Sequence, residues 1–150
     1  HPRVRRQRQM CIRDSSKAMI EAYTEAGLKP EDITYINAHG TSTHLNDMLE
    51  TKAVKIALGE EQARKVKINS TKSMTGHMLG GTGAVEAAVC ALSIRDSFIH
   101  QTIGYTTPDP ECDLDYCVDG PVEMPVNAAL SNSLGFGGHN ATLCFKKCTD

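Results

Sequence analysis

The sequence predicts a layered α/β domain. Segments with apolar residues at helical spacing alternate with short runs of β-forming residues. Two further strand-like segments follow near the end of the chain. Strands that alternate with helices bury their apolar faces against one another, which gives helices packed on a sheet.

The first helix and the first strand follow from residue spacing. In "SSKAMIEAYTEAGLKPED" (15–32), small and apolar residues recur at helical intervals. Gly27 is predicted to end this helix, and Pro30 prevents its continuation. The next segment, "ITYINA" (33–38), is rich in β-forming residues and predicts a strand.

The second helix is predicted over "NDMLETKAVKIALG" (46–59). Asp47 can cap its first turn, with Glu50 three residues later as in a capping box, and Gly59 supplies the stop. Its inner face is predicted to contain Leu49, Ala53, Ile56 and Ala57.

The remaining elements complete the α/β pattern. "KVKINST" (65–71) predicts a second strand, and "GAVEAAVCALSIRD" (83–96) predicts a helix with small residues along one side. A loop rich in Pro, Asp and Gly is predicted from about 104 to 125. "AALSNS" (128–133) and "NATLCFKK" (140–147) predict closing strands around a glycine-rich turn.

Composition excludes several classes of protein. The chain has 150 residues, 40% hydrophobic and 23% charged, which is the balance of one ordinary globular domain. No apolar run approaches the roughly 20 residues of a membrane span, and no secretory signal is evident, so the cytoplasm is the expected compartment. The six cysteines include no CxxC pair and are expected to be reduced.

Basic residues are concentrated at the start of the chain. Residues 1–15 contain five Arg and one Asp, and the rest of the chain contains 11 basic and 17 acidic residues. A nucleic-acid-binding arm is one interpretation. No aromatic or base-reading motif accompanies the arginines, so a disordered or artefactual tail is the preferred interpretation, and no nucleic-acid partner is expected.

Three polar loops each follow a predicted strand: "NAHGTST" (37–43), "NSTKSMTGH" (69–77) and "SNSLGFGGHN" (131–140). Loops at strand ends are where sites collect in layered α/β folds, so the sequence predicts one shared site. In the first loop, Thr41 and Thr43 place two hydroxyls beside His39, which suits an amide-containing ligand. A histidine or threonine that only satisfies the turn is the alternative.

The second loop supplies Lys72 and His77. His77 precedes a predicted helix, whose positive N-terminal end disfavours an imidazolium, and a nearby Lys72 would act in the same direction. His77 is therefore expected to be neutral and to donate a hydrogen bond. Glu86 lies among small and apolar residues and is the expected partner of Lys72.

Other kinds of site have little support. HExxH, zinc-finger and phosphate-loop spacings are all missing from the sequence, so neither a metal nor a phosphate cradle is expected. None of the six cysteines has the setting of an activated nucleophile. Two donor histidines without a nucleophile resemble half of an active site.

The motifs resemble those of one known family. The resemblance is to the C-terminal half of the β-ketoacyl-[acyl-carrier-protein] synthase II family, the elongating condensing enzymes of type II fatty-acid synthesis. It divides the chain into a basic tail outside the family (1–16) and a C-terminal domain without its N-terminal half (17–150). The motifs are "NAHGTSTHLND", "NSTKSMTGHMLGGTGAVEA", "PDPECDLDY" and "SNSLGFGGHNATLCF".

The resemblance implies a thiolase-like fold, a layered α/β/α arrangement with a mixed sheet, and usually a homodimer. It implies acyl carrier protein bearing phosphopantetheine thioesters as partner, no cofactor, and a nucleophilic cysteine in the missing half. His39 and His77 match the two catalytic histidines, Lys72 the active-site lysine and Glu86 its supporting acid. Thr41 and Thr43 match contacts to the phosphopantetheine arm, and Phe136 matches the residue that gates acyl entry.

Two alternatives remain open. A polyketide synthase ketosynthase shares the histidine and lysine motifs, and a fragment could keep the fold without turning over substrate. The chain also departs from the family pattern at His139, where Thr is common, and at His44, where Pro is frequent.

Overall fold

The computed structural model describes the backbone of residues 2–135 and 138–148 and the side chains from residue 11 onward. Its main sheet contains two strands that each follow a helix, and a pair of antiparallel strands near the end of the chain completes it. In chain order the elements are α1 (Pro2–Glu25), a 3-10 turn (Pro30–Asp32), β1 (Tyr35–Asn37), α2 (His44–Leu58), α3 (Glu60–Ala63), β2 (Lys67–Asn69), α4 (Lys72–Thr75), a 3-10 turn (Leu79–Gly81), α5 (Thr82–Asp96), β3 (Phe98–Ile99), β4 (Val122–Glu123), β5 (Ala128–Leu134) and β6 (Asn140–Lys146).

The main sheet is mixed, with strand order β2-β1-β5-β6. β1 pairs in parallel with β2 on one side and with β5 on the other, and β5 pairs antiparallel with β6. β3 and β4 form a separate antiparallel pair. β1 is paired on both edges, and every one of its residues is buried. Burial along the whole strand is typical of a central parallel strand that is covered on both faces.

Helices cover both faces of the main sheet. Ile36 and Leu130 point into a core formed with α1 and α2. Their neighbours Tyr35 and Ala129 point the other way, into a second core that includes Cys90 of α5. Successive residues of a strand face opposite sides, so one sheet supplies both cores. The predicted layered α/β fold with helices on a sheet is confirmed.

The first helix is longer than the sequence predicts. The backbone of residues 2–16 is helical and continuous with the rest of α1, in the segment where the sequence analysis expects a disordered or artefactual tail over 1–16. Ile12 packs against the core, and Ser15 and Ser16 are buried. The segment has no glycine or proline after Pro2, and its Arg, Gln and Met residues have good helix propensity. The artefactual origin of this segment stays a prediction.

The second helix starts earlier than predicted and has a different inner face. α2 begins at His44, with Thr43 as its N-cap, so the capping box of Asp47 and Glu50 is wrong. Ala53 and Ala57 are buried as expected, whereas Ile56 is 59% exposed. The stripe that faces the core also includes Met48, Glu50, Thr51, Val54 and Leu58.

Among the described residues, no helix combines the length and the apolar character that a bilayer crossing needs. The six cysteines are free thiols in the structure, as the sequence predicts.

Candidate active site

The carboxyl ends of the three parallel strands meet at one edge of the sheet. Asn37 of β1 is in register with Asn69 of β2 and with Ser131 of β5. The chain therefore leaves β1 towards His39 and leaves β2 towards Lys72 at the same edge of the sheet. The loops predicted after β1 and β2 therefore begin side by side, whereas the first four residues of the third predicted loop, from Ser131 to Leu134, belong to β5.

The loops after β1 and β2 touch closely at Gly40 and Ser70. The Ser70 hydroxyl donates to the Gly40 carbonyl at 2.8 Å. Gly40 has φ +35°, and a Cβ atom there would lie 2.7 Å from Ser70 Cβ. Only glycine fits this approach, because the contact involves both a left-handed backbone and a neighbouring loop.

Thr71 links β1 to the turn that carries the lysine. The Asn37 side-chain amide donates to Thr71 Oγ1 at 2.7 Å, and Thr71 Oγ1 lies 3.0 Å from His100 Nε2. The His100 Nδ1 atom lies 2.8 Å from the carbonyl oxygen of Gln101. Donation to that carbonyl leaves Nε2 as an acceptor, so the Thr71 hydroxyl donates to it. These bonds hold the start of α4, and with it Lys72.

The two motif histidines lie together. Their rings are edge to face, with centroids 5.7 Å apart. His39 is half-buried, and burial lowers its pKa from 6.5 to about 4, with further lowering by the charge of Lys72. The His39 ring is therefore neutral at physiological pH.

His77 is held by its own turn. Its Nδ1 accepts the Leu79 backbone N–H at 3.0 Å and lies 3.3 Å from the Thr82 hydroxyl. A ring nitrogen that accepts a hydrogen bond carries no proton, so in this arrangement His77 is neutral with its proton on Nε2. The side chain is exposed, which leaves the Nε2–H free to donate.

Lys72 and Glu86 form a buried ion pair next to the histidines. Lys72 Nζ donates to Glu86 Oε1, and both side chains are buried. Burial raises the pKa of Glu86, and the hydrogen bond and charge of Lys72 oppose that rise. The contact predicted from the apolar neighbours of Glu86 is confirmed. The second oxygen, Glu86 Oε2, is buried without a hydrogen-bond partner among the described residues.

Glu50 is a site residue that sequence reasoning missed. Its carboxylate accepts the backbone N–H of His39 at 2.9 Å and that of Gly40 at 3.0 Å. The amide of Asn132 donates to the same carboxylate at 3.1 Å. The available signal was its position: Glu50 lies on one helical stripe with Val54 and Leu58, and a carboxylate on an apolar stripe needs a partner.

The predicted substrate contacts lie at the mouth of a cleft. Thr41 Oγ1 and Thr43 Oγ1 are 2.9 Å apart near the surface. Gly40, Thr41 and Lys72 help to line a cleft of about 560 Å³, which neither motif histidine lines. Phe136, the predicted acyl gate, lies outside the described residues.

The thiols within the fold are poor nucleophiles. Burial raises the pKa of Cys90 to about 12 and that of Cys117 to about 11. Burial also raises the pKa values of Cys112 and Cys144. The thiolate is the reactive form, so none of these four cysteines is activated.

One exposed group has the donor types of a metal site. His44, Asp109 and Glu111 place three potential ligand atoms within 4.8 Å of one another. Asp109 lies 3.1 Å from Nδ1 of the ring, whereas Glu111 lies 3.7 Å from Nε2 and 3.1 Å from Lys52. Two carboxylates on opposite ring nitrogens fit an ion-pair cluster better than a shared metal.

The electrostatics of His39 give a testable titration. We expect the His39 ring in the folded chain to protonate with a midpoint near pH 4, measured from ¹³C-edited NMR of the imidazole. The pKa of His39 in the folded chain lies below the ordinary 6.5. The contribution of the neutral ring to the free energy of unfolding is therefore complete above pH 6.5 and declines as pH falls towards 4. Lys65→Met, which removes an exposed cation, should leave the midpoint unchanged. A midpoint near pH 6.5 would show that burial does not lower the pKa of His39.

The buried ion pair gives a second prediction. Lys72→Met should lower the free energy of unfolding by about 3–5 kcal/mol at pH 8, because it leaves an unpaired buried carboxylate. The folded pKa of Glu86 is already raised, so this loss should diminish as pH falls and Glu86 takes up a proton. The double variant Lys72→Met/Glu86→Gln should recover most of the loss at pH 8.

Urea unfolding of the two variants and the wild-type chain at pH 8 and pH 5 measures these differences. Comparison at each pH removes the contribution of groups common to all three proteins. An equal loss at both pH values, with no recovery in the double variant, would show that the pair contributes nothing specific.

Comparisons with known proteins identify the family of the chain. The model of the family "Beta-ketoacyl synthase, C-terminal domain" matches residues 6–106, so the likeness begins ahead of the boundary predicted at Lys17. The chain is 54% identical over 132 residues to 3-oxoacyl-[acyl-carrier-protein] synthase 2 of Staphylococcus aureus (strain COL), covering 88% of this chain and 32% of the relative. The Synechocystis sp. protein of the same name is 52% identical over 135 residues, 90% of this chain and 32% of the relative.

Solved structures give the same result. A type II PKS acyl-carrier protein in complex with its ketosynthase matches with TM-score 0.84 and 39% identity, over 91% of this chain and 34% of that chain. A beta-ketoacyl synthase from Burkholderia phymatum STM815 matches with TM-score 0.79 and 34% identity, over 90% of this chain and 33% of that chain. The chain thus spans about a third of the length of the relatives that it matches. With most of its length matched by the family model, the chain belongs to the β-ketoacyl synthase C-terminal domain family and has the thiolase-like α/β fold of the ketosynthases.

Proposed function

We propose that this chain supplies the decarboxylation half of a β-ketoacyl-[acyl-carrier-protein] synthase site that elongates fatty acyl chains. One observation carries the proposal: two neutral imidazoles lie 5.7 Å apart beside a buried Lys72–Glu86 pair. The identity of 54% to relatives named 3-oxoacyl-[acyl-carrier-protein] synthase 2 supports the choice of reaction.

The chemistry requires two donors that carry no charge of their own. When a malonyl thioester loses CO2, the electrons of the broken C–C bond pass to the α-carbon and onto the thioester oxygen. The N–H groups of His39 and His77 would stabilise that oxygen as an oxyanion hole. The carbanion then attacks the carbonyl carbon of an acyl group held on cysteine, a C–C bond forms, and the cysteine thiolate leaves.

Lys72 has an electrostatic role in this proposal. Its charge lowers the pKa of His39, which favours the neutral ring that an oxyanion donor needs. Glu86 fixes the ammonium group by accepting from it in the buried pair. The lysine thereby supplies a positive field near the developing negative charge, and Glu86 holds that charge in one place.

The substrate proposal rests on the threonines and on the family. Thr41 and Thr43 present hydroxyls near the cleft and would hydrogen-bond the amides of a phosphopantetheine arm. Phe136 would gate entry of the acyl chain. Acyl carrier protein is the proposed partner, and one structural neighbour is an acyl-carrier protein in complex with its ketosynthase. Homodimerisation is proposed on the family resemblance alone, and the proposed reaction uses no cofactor or metal.

A basic patch on α2 and α3 is a weak candidate for carrier docking. Lys52, Lys55, Arg64 and Lys65 could attract an acidic carrier protein by charge. Each of them already contacts a carboxylate: Glu111, Asp113, Glu60 and Glu61 are the acids involved. These ion pairs neutralise the patch, so we expect the docking surface elsewhere.

The nucleophilic cysteine is proposed to lie outside this chain. The four cysteines with shifted pKa values all shift upward, away from the thiolate. In addition, α5 exposes an apolar face that includes Ala84, Val85, Ala88 and Leu92. Such a face favours a covering surface, which the missing N-terminal half would supply.

A polyketide synthase ketosynthase is the second candidate function. It is favoured by the structural neighbours, which include the ketosynthase of a type II PKS at 39% identity. The relatives named 3-oxoacyl-[acyl-carrier-protein] synthase 2 reach 54%, so the elongating synthase is preferred. The remaining alternative is a chain that has the fold but does not turn over substrate. We expect this to be true of the 150-residue chain when it is isolated.

The oxyanion assignment is tested by two single variants of the full-length synthase that contains this chain. His39→Ala and His77→Ala should each lower malonyl decarboxylation by about 10²–10³-fold, since each removes one oxyanion donor. Release of ¹⁴CO2 measures decarboxylation, and intact mass measures acylation of the cysteine, which should persist. Glu61→Ala, at an exposed residue outside the cleft, is the control. Undiminished CO2 release from both variants would refute the assignment.

The absence of a nucleophile is tested on the 150-residue chain itself. After incubation with palmitoyl-acyl carrier protein, its intact mass should show no acyl adduct, because thiol burial disfavours the reactive thiolate. Alkylation under denaturing conditions should label all six cysteines and so confirm that the thiols are reduced. A stoichiometric adduct on Cys90 or Cys144 would contradict the proposal.

A further inference from the structure

His100 is a partly buried histidine outside the motifs that predict the site, and it directly follows β3. Its Nδ1 lies 2.8 Å from the carbonyl oxygen of Gln101. A carbonyl can only accept, so Nδ1 carries the ring proton and Nε2 is left as an acceptor. Thr71 Oγ1 lies 3.0 Å from Nε2. The ring therefore offers the Thr71 hydroxyl one fixed acceptor.

His100 completes a circuit of hydrogen bonds that begins and ends on β1. The Asn37 amide donates to Thr71 Oγ1 at 2.7 Å, and the Thr71 hydroxyl donates to the His100 ring. On the return path, the carbonyl oxygen of His100 accepts the Asn69 amide at 2.7 Å, and Asn69 Oδ1 accepts the Tyr35 hydroxyl at 2.7 Å. The four partners of His100 in this circuit are buried, which strengthens the bonds between them.

α4, the short turn that begins at Lys72, needs support from outside. It has four residues, and among the described residues its N-cap, Thr71, makes no side-chain capping hydrogen bond. A helix of one turn is not stable by itself. The Thr71 hydroxyl is instead bonded on two sides, by Asn37 of β1 and by His100. The direction in which the Lys72 side chain leaves the backbone therefore depends on these two bonds.

We propose that His100 is a positioning residue for Lys72: its ring holds Thr71, and Thr71 fixes the backbone from which the lysine side chain extends. Glu86 fixes the other end of that side chain, because it accepts from the ammonium group. Two anchors hold the positive charge at a constant distance from His39. This proposal rests on the proposed decarboxylation function, in which that charge stabilises a developing anion.

The backbone around His100 also holds the wall of the cleft. The Ile103 N–H donates to Ser73 Oγ at 3.2 Å, and both residues help to line the cleft together with Lys72. Neither this bond nor the bond to the His100 carbonyl uses the imidazole ring. A change of the ring alone should therefore disturb the position of Lys72 and leave the cleft wall in place.

The main test compares two substitutions of His100 in the full-length synthase that contains this chain. His100→Gln keeps a side-chain oxygen that can accept the Thr71 hydroxyl, whereas His100→Phe keeps a flat ring without an acceptor. We expect His100→Phe to lower kcat for malonyl decarboxylation by about 10–10²-fold, because small displacements of a catalytic group are costly. KM for the malonyl thioester and the rate of cysteine acylation should change less than about threefold. His100→Gln should restore most of kcat.

The pattern of losses separates positioning from a merely structural role. Equal kcat values for the two variants would overturn the proposal, because the acceptor would then have no influence on the reaction. Equal losses of acylation and decarboxylation in His100→Phe, together with a lower Tm, would overturn it in favour of a structural role.

The titration of His39 gives a readout that does not depend on turnover. Burial and the charge of Lys72 lower the pKa of His39 in the folded chain. If the ammonium group moves away in His100→Phe, the NMR midpoint of His39 should rise part of the way towards its ordinary value. In His100→Gln the midpoint should equal that of the wild-type chain. An unchanged midpoint in His100→Phe would overturn the proposal.

The wild-type chain provides a test without any substitution. ¹⁵N NMR of the His100 ring near neutral pH should show the proton on Nδ1 and none on Nε2. A proton on Nε2 would overturn the proposal, because that nitrogen could not then accept from Thr71. His39→Ala separates the two proposals. If it leaves decarboxylation intact, the oxyanion function fails, whereas the His100 tautomer would still support the anchoring of Thr71.

Discussion

The parallel pairing of β1 with both β2 and β5 is the constraint on which the candidate site depends. β1 has only three residues, all of them buried. Because parallel strands run in the same direction, this short strand brings the loops after β1 and β2 side by side, with Ser131 of β5 beside them. The close contact of Gly40 with Ser70 follows from that geometry. A slip in register would move the loop that carries His39 away from the lysine-bearing turn.

The site concentrates buried charge, and the fold must compensate for it. Lys72 and Glu86 are both buried, and each would be unfavourable without the other. Glu50 is a second buried carboxylate, compensated by three N–H donors rather than by a cation. These two solutions have different consequences. Burial, assisted by the Lys72 charge, lowers the pKa of His39 and keeps its ring neutral, whereas the Glu50 carboxylate is satisfied by the amides of His39, Gly40 and Asn132.

Much of the fold and part of the site could be predicted from the sequence. The helical spacing that ends at Gly27 and the glycine stop at Gly59 were informative because local backbone chemistry decides helix ends. The pairing of Lys72 with Glu86 was predictable because a charge among apolar neighbours needs a partner. Each of these inferences uses a preference that acts over a few residues.

The features that the sequence analysis did not predict depend instead on contacts between distant parts of the chain. Glu50 fitted a local capping box, but its carboxylate instead reaches amides ten and eleven residues away. Ile56 fitted the helical stripe, but it lies outside the buried stripe of α2 and is exposed. The helical backbone of residues 2–16 continues a helix whose later turns pack on the core, which charge composition does not reveal. Long-range packing decides each of these features.

The two faces of α5 show how the site is divided between this chain and its surroundings. The face against the sheet contains Thr82, Glu86, Cys90 and Ser93, a polar stripe that includes the partner of Lys72. The outer face is the apolar one, with Val85 and Leu92 exposed. α5 therefore buries polar side chains beside Cys90 while it leaves large apolar side chains exposed, which ordinary amphipathic helices avoid. The helix that buries Glu86 therefore also presents exposed apolar residues, which favour contact with a further protein surface.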